Sequence, residues 1–111
     1  MSQKYCLVYS TCPNEDNCAY KISESLISEK LAACVNIVDN IVSVYKWNNK
    51  IETNHEKLLI IKTNFLLFEQ IKEKISALHP YNCPEIIAVP IIDGNCDYLS
   101  WLDGCLKPAN D

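Results

Sequence analysis

No arginine occurs anywhere in the sequence; all ten basic side chains are lysines. Arginine is the residue whose planar fork clamps phosphate or carboxylate at two points at once. Its absence excludes an arginine-dependent phosphatase site. A basic cluster is missing too, and the net charge is −4 with a pI near 5.1. Phosphate backbones are neutralised by clustered Lys and Arg, so nucleic acid is not expected as a partner. No apolar run approaches the roughly 20 residues that cross a bilayer, so no membrane partner is expected either. Linkers, repeats and low-complexity tracts are also lacking. Met1 is followed by polar Ser2, Gln3 and Lys4, unlike the basic and then long apolar start of a secretory signal. Seven cysteines are present, at positions 6, 12, 18, 34, 83, 96 and 105, and no two are spaced C-x-x-C. An odd count without a secretory signal predicts reduced thiols in a cytoplasmic protein, most of them packing as small hydrophobes.

What is present suits one globular domain over residues 1–111. Apolar residues make up 49% of the chain, enough for a core at this size and too many for disorder at this charge. Residues 5–11 read as a first strand. Pro13 and Asn14 break it, with Asn14 as a candidate helix cap. Ala19, Ile22, Leu26 and Ile27 then recur with helical period, predicting a helix over 15–30 with Glu15 and Asp16 in its first turn. Residues 33–47 are β-rich, with a bulge or kink at Asp39-Asn40. Asn48-Asn49 suits a tight hairpin turn, and Lys50 to Thr63 returns as a strand. Asn64 can cap a second helix carrying Phe65, Phe68, Ile71, Ile75 and Leu78 on one face, ended by Pro80. Ile86 to Ile92 reads as a fourth strand. Asp93-Gly94-Asn95 turns the chain into a last helix with Tyr98, Trp101, Leu102 and Cys105 at i, i+3, i+4 and i+7. The fold class is therefore α+β: a ferredoxin-like split βαβ sandwich, βαββαβ plus a C-terminal helix. Two other uses of that fold fail on particular residues. A metallochaperone would carry C-x-x-C after the first strand, where Cys12-Pro13-Asn14-Glu15 stands. An RNA-recognition domain would carry aromatics in the third strand, and Lys57 to Thr63 has none.

Two features predict an oligomer. Strands with helices on one face alternate apolar and polar residues, yet Leu58 to Ile61 and Ile86 to Ile92 are nearly all apolar, so both of their faces need cover. Residues 33–47 would span about 50 Å at roughly 3.3 Å per residue, against a radius of gyration of roughly 13 Å for a compact chain of this size. The β-hairpin must protrude, with Tyr45, Trp47 and Ile51 at its tip, and a neighbouring copy is the simplest cover. The alternative is a strongly bent hairpin folded back on its own domain.

Seven blocks carry a family resemblance: Thr11-Cys12-Pro13-Asn14, Glu29-Lys30-Leu31-Ala32-Ala33-Cys34-Val35-Asn36, Tyr45-Lys46-Trp47, Lys50-Ile51, Lys62-Thr63, His79-Pro80-Tyr81-Asn82-Cys83-Pro84-Glu85 and Asp97-Tyr98-Leu99-Ser100-Trp101-Leu102. In order and spacing, from about Tyr5 to Leu106, they resemble the CutA family. The resemblance implies a tight homotrimer with interlocking hairpins, an association with divalent-cation tolerance and copper binding, and no established catalysis. Animal members are linked to membrane-enzyme assembly. The expected function is thus a CutA-like homotrimeric binding or assembly protein. The alternative is a small-molecule sensor with its ligand in an inter-subunit cleft, like trimeric signalling proteins of similar build. Two departures touch the metal site. Ser10 stands where the family's copper-binding cysteine falls, and Leu78-His79 where bacterial members have two histidines. Asn49 also replaces a common glycine. No cofactor is required on this reading; copper or another divalent cation is expected to bind weakly.

Within those motifs a metal needs two to four soft or imidazole ligands together. Cys12, His79 and Glu85 form one candidate set; the other reading of His79 is a cap on the second helix. His55 is expected on solvated surface, and Cys34 in the core. Lys62 shares a strand face with Leu58 and Ile60 and needs a partner there. With Glu85, Tyr98 and Trp101 it forms either a structural ion pair near a subunit boundary or a ligand-binding cleft in which Lys62 holds an anion.

Overall fold

The fold starts on an alternating strand. In β1 (Tyr5–Pro13), Cys6, Val8, Ser10 and Cys12 all turn to one buried face, as a period of two requires. A computed structural model describes residues 4–108. Helix α1 (Cys18–Ser28) begins three residues later than the sequence suggests. The reason is local: β1 runs on to Pro13, and Asn14 is used elsewhere, its Oδ1 accepting the Asn40 N–H at 3.2 Å. Asp16 Oδ1 accepts the Cys18 N–H at 2.9 Å instead, so Glu15 and Asp16 precede the first turn and do not occupy it.

Strands β2 (Cys34–Trp47) and β3 (Lys50–Asn64) form the long hairpin. Asn48 and Asn49 both take positive φ, 51° and 67°, the two-residue geometry whose twist matches the strands it joins. The expected bulge is there: pairing shifts register between Val38 and Ile41, with Asn40 at φ 56°. Asn64 Oδ1 accepts the Leu66 N–H at 2.8 Å, capping a single 3-10 turn (Phe65–Leu67) that leads into α2 (Phe68–Leu78). His79 is already extended, as a residue before proline must be. Strand β4 (Ile87–Pro90) is shorter than its apolar run suggests. It is an edge strand paired with β1 only, and such edges tolerate Pro90. Helix α3 (Cys96–Gly104) follows, with Asn95 Oδ1 accepting the Asp97 N–H.

The sheet order is β2-β3-β1-β4, with every neighbouring pair antiparallel. Each βαβ unit is split by a strand of the other, which is the ferredoxin-like arrangement. The core lies between one sheet face and α1 and α2. Val8, Leu59, Ile61, Ile22, Leu26, Ile71 and Ile75 are fully buried there. On the other sheet face Leu58 and Ile60 remain half-buried. The hairpin projects and does not fold back: the molecule measures 44 × 26 × 24 Å, its radius of gyration is 14.7 Å, and Trp47 and Ile51 are 61% and 77% exposed. All seven cysteines are free thiols.

Candidate metal centre and adjoining cleft

Three elements converge at one end of the helical layer. The end of β1 supplies Cys12, the first residue of α1 supplies Cys18, and the residue after α2 supplies His79. Their Sγ, Sγ and imidazole nitrogen atoms lie within 4.8 Å of one another, and all three residues are buried. The Cys18 thiol donates to Cys12 Sγ at 3.7 Å. Burial pushes both thiols above their ordinary range; at Cys12 the Cys18 thiol and the Asp16 and Glu56 carboxylates add to the effect, because each disfavours a second negative charge.

The imidazole is held at both nitrogens. Nδ1 accepts the Tyr81 N–H at 3.1 Å, which places the proton on Nε2, the donor to the Thr11 carbonyl at 2.7 Å. The Tyr81 ring packs on it at 4.6 Å between centroids. His79 therefore does not cap α2 with its side chain; only its backbone N–H closes the last turn, on Ile75 O at 2.8 Å. An ion that takes Nδ1 has to displace the Tyr81 N–H. Of the expected set Cys12, His79 and Glu85, the structure brings the first two together and puts Cys18 in the third place. Glu85 lies beyond Pro80 and Pro84, in a stretch without regular structure, and lines the adjacent cleft. The usable signal for Cys18 was its place as first residue of a helix packed on the strand that carries Cys12.

That cleft, about 730 Å³, opens between the hairpin and the segment after α2. Thr11, Tyr45, Trp47, Glu56, Tyr81 and Glu85 are among the residues that line it. Glu56 is buried within β3, and its Oε2 accepts the Tyr81 hydroxyl at 2.9 Å. Burial first, then that carboxylate, hold the Tyr81 phenol well above its ordinary range. Asn54 Nδ2 donates to the Tyr45 hydroxyl on the hairpin side. Sequence reasoning missed Glu56 and Tyr81 as a pair, since they lie 25 positions apart on β3 and the loop after α2.

Lys62, Tyr98 and Trp101 gather elsewhere, where α3 meets β3. The Lys62 ammonium sits over the Tyr98 ring at 5.7 Å from its centroid, and Tyr98 and Trp101 pack at 5.4 Å. Among the described residues no ion pair joins Lys62 to Glu85 within the chain; an aromatic face stabilises the cation instead. The lysine that does need partners is Lys57, whose side chain is 12% exposed. It pairs with Asp39 at 3.3 Å and donates to the Asn14 carbonyl at 2.9 Å. His55 is exposed on the hairpin as expected, its Nδ1 3.1 Å from Asn40 Oδ1. Cys34 is half-buried at the start of β2.

Two predictions arise here. Burial raises Cys6 from 9.0 to about 11, and Cys12, Cys18 and Tyr81 shift the same way. A group that holds its proton more tightly when folded contributes fully below its unfolded pKa and loses that contribution as pH rises through the folded one. Urea unfolding is therefore expected to show a Cys6 contribution that is flat up to about pH 9 and falls from there to about pH 11, with Cys12, Cys18 and Tyr81 adding to the fall in the same direction; a flat profile between pH 9 and 11 contradicts it. Second, Ser10 Oγ is buried without a hydrogen-bond partner among the described residues, a condition that costs about 1–3 kcal/mol. Ser10→Ala is expected to raise stability by about 1 kcal/mol; a loss of similar size in thermal unfolding contradicts it.

Comparison with known proteins fits this architecture. Residues 6–105 match the family described as CutA1 divalent ion tolerance protein. The Divalent-cation tolerance protein CutA of Thermus thermophilus is 46% identical over 96 residues, 86% of this chain and 92% of that protein. Protein CutA 1, chloroplastic, of Oryza sativa is 51% identical over 103 residues, 93% of this chain; the chain spans 58% of that protein's length. The crystal structure of CutA1 from the psychrotrophic bacterium Shewanella sp. SIB1 superposes with a TM-score of 0.92 at 35% identity, covering 97% of this chain and all of the other. With a match over nearly all of its length, and the split βαβ sandwich in place, the chain belongs to the CutA1 divalent ion tolerance protein family.

Proposed function

We propose that the protein acts as a homotrimeric binding and assembly protein of the cytoplasm, tied to divalent-cation tolerance and without catalysis. One observation carries the trimer. The hairpin presents Val42, Val44, Trp47 and Ile51 to solvent, and a projecting two-stranded hairpin is marginal in water unless covered. Ile87, Val89 and Ile92, on and after the β4 edge, are uncovered as well. Three copies around one axis give every hairpin an identical acceptor and leave no sheet edge open to pair without limit. The number three comes from the family resemblance. Light scattering is expected to give about three times 12.6 kDa; a mass near that of one chain overturns the proposal. At the family's copper positions, Ser10 and Leu78 supply no soft donor, so copper(II) bound there is held weakly.

The cleft favours a second reading, a small-molecule sensor. A buried carboxylate bonded to a phenol inside an aromatic-lined cleft of about 730 Å³ has the build of a ligand pocket, apolar with a few placed polar groups. Isothermal titration with copper, zinc and a panel of nucleotides separates the two: heat from an organic ligand alone supports the sensor.

A further inference from the structure

We propose that Cys12 and Cys18 form a dithiol site for a soft divalent d10 cation of the zinc–cadmium class, with the His79 imidazole as third donor. The site goes beyond the reading above. It uses neither Ser10 nor Leu78, shares only His79 with the family's copper positions, and stands whether or not the chain trimerises.

Geometry carries the argument. Two sulfurs at roughly 2.3 Å from a tetrahedral zinc lie about 3.8 Å apart. Cys12 and Cys18 Sγ are 3.7 Å apart, so two ligands already have the spacing that the ion requires. His79 completes a compact S2N face. Its Nε2–H is fixed on the Thr11 carbonyl at 2.7 Å, which is how a ligating histidine is usually oriented from its far side. The Nδ1 partner is the longer bond, from Tyr81 N–H at 3.1 Å. It lies in a segment without regular structure, and it is the bond that an ion already held by two sulfurs would have to displace.

Charge selects the ion. The metal takes up both sulfurs as thiolates and releases two protons, so a divalent ion leaves the buried site neutral. A monovalent ion would leave one negative charge in the core, with the carboxylates of Asp16 and Glu56 acting on the same sulfur; an uncompensated buried charge is strongly disfavoured. Soft thiolates in turn select d10 ions over magnesium or calcium. The cleft abuts the site: Thr11, the neighbour of Cys12, and Tyr81, packed on His79, both line it.

The test uses cadmium as probe, in the full chain carrying Cys34→Ser, Cys83→Ser, Cys96→Ser and Cys105→Ser to remove the other accessible thiols. The ultraviolet sulfur-to-cadmium band is expected to saturate at one ion per chain. Adding Cys18→Ser is expected to weaken binding more than about a hundredfold, beyond the 10–100-fold typical of losing an outer-shell partner. Adding Cys6→Ser instead, a buried thiol outside the cluster, leaves binding unchanged. No saturable band, or equal binding after Cys18→Ser, overturns the proposal. Should the serine variants unfold, X-ray absorption of the wild type loaded with one zinc per chain decides it. Two sulfur neighbours with nitrogen or oxygen support the site; a shell without sulfur, or with four sulfurs, overturns it.

Discussion

Trp47→Ala is expected to cost about 3 kcal/mol per subunit and to shift the proposed trimer toward smaller species on dilution. The tryptophan sits at the hairpin tip, beside the Asn48-Asn49 turn, and is 61% exposed within one chain. No described residue of its own chain completes its cover, so a large loss is expected from burial against a neighbour. Aromatic anchors at interface centres are where truncation costs most. The effect is repeated at every subunit of a closed ring. Urea unfolding read with sedimentation across a concentration series measures both parts. A variant as stable and as large as the wild type removes the hairpin tip as the anchor while leaving a trimer held elsewhere.

His79→Ala is expected to cost about 2–4 kcal/mol in protein stripped of metal by chelator, because two hydrogen bonds are lost, leaving a buried carbonyl and a part-buried N–H without the ring. The Thr11 carbonyl and the Tyr81 N–H depend on the ring, and with them the attachment of the α2 end to β1. Thermal unfolding with and without chelator is the measurement. A loss that appears only when metal is present would show that the imidazole acts as a ligand alone, contrary to its place as a structural bridge.

Both predictions concern contacts the sequence announced unevenly. The hairpin was legible throughout. Its length followed from the β-rich stretches either side of Asn48-Asn49, its bulge from Asp39-Asn40, and its exposed tip from Tyr45, Trp47 and Ile51. Boundaries were less so: α1 starts at Cys18 because Asn14 found a partner on β2, 26 residues away, and no local pattern records that competition. Strand β4 is short for a similar reason, since its pairing extends only from Tyr9 to Cys6 of β1.

The sequence by itself determined the order of elements, the two-asparagine turn, the bulge and the apolar faces, since periodicity and turn chemistry act over a few residues. The expectation against arginine-dependent, nucleic-acid and metallochaperone chemistries was equally local, resting on residues that are absent. Only the tertiary structure decided which side chains meet. It set Cys18 rather than Glu85 beside Cys12 and His79, placed Lys62 over Tyr98, and joined Glu56 to Tyr81 inside the cleft. Those pairings depend on how α1 and the segment after α2 pack on the sheet. Packing is set by the sum of many contacts distant along the chain, which no spacing of residues encodes.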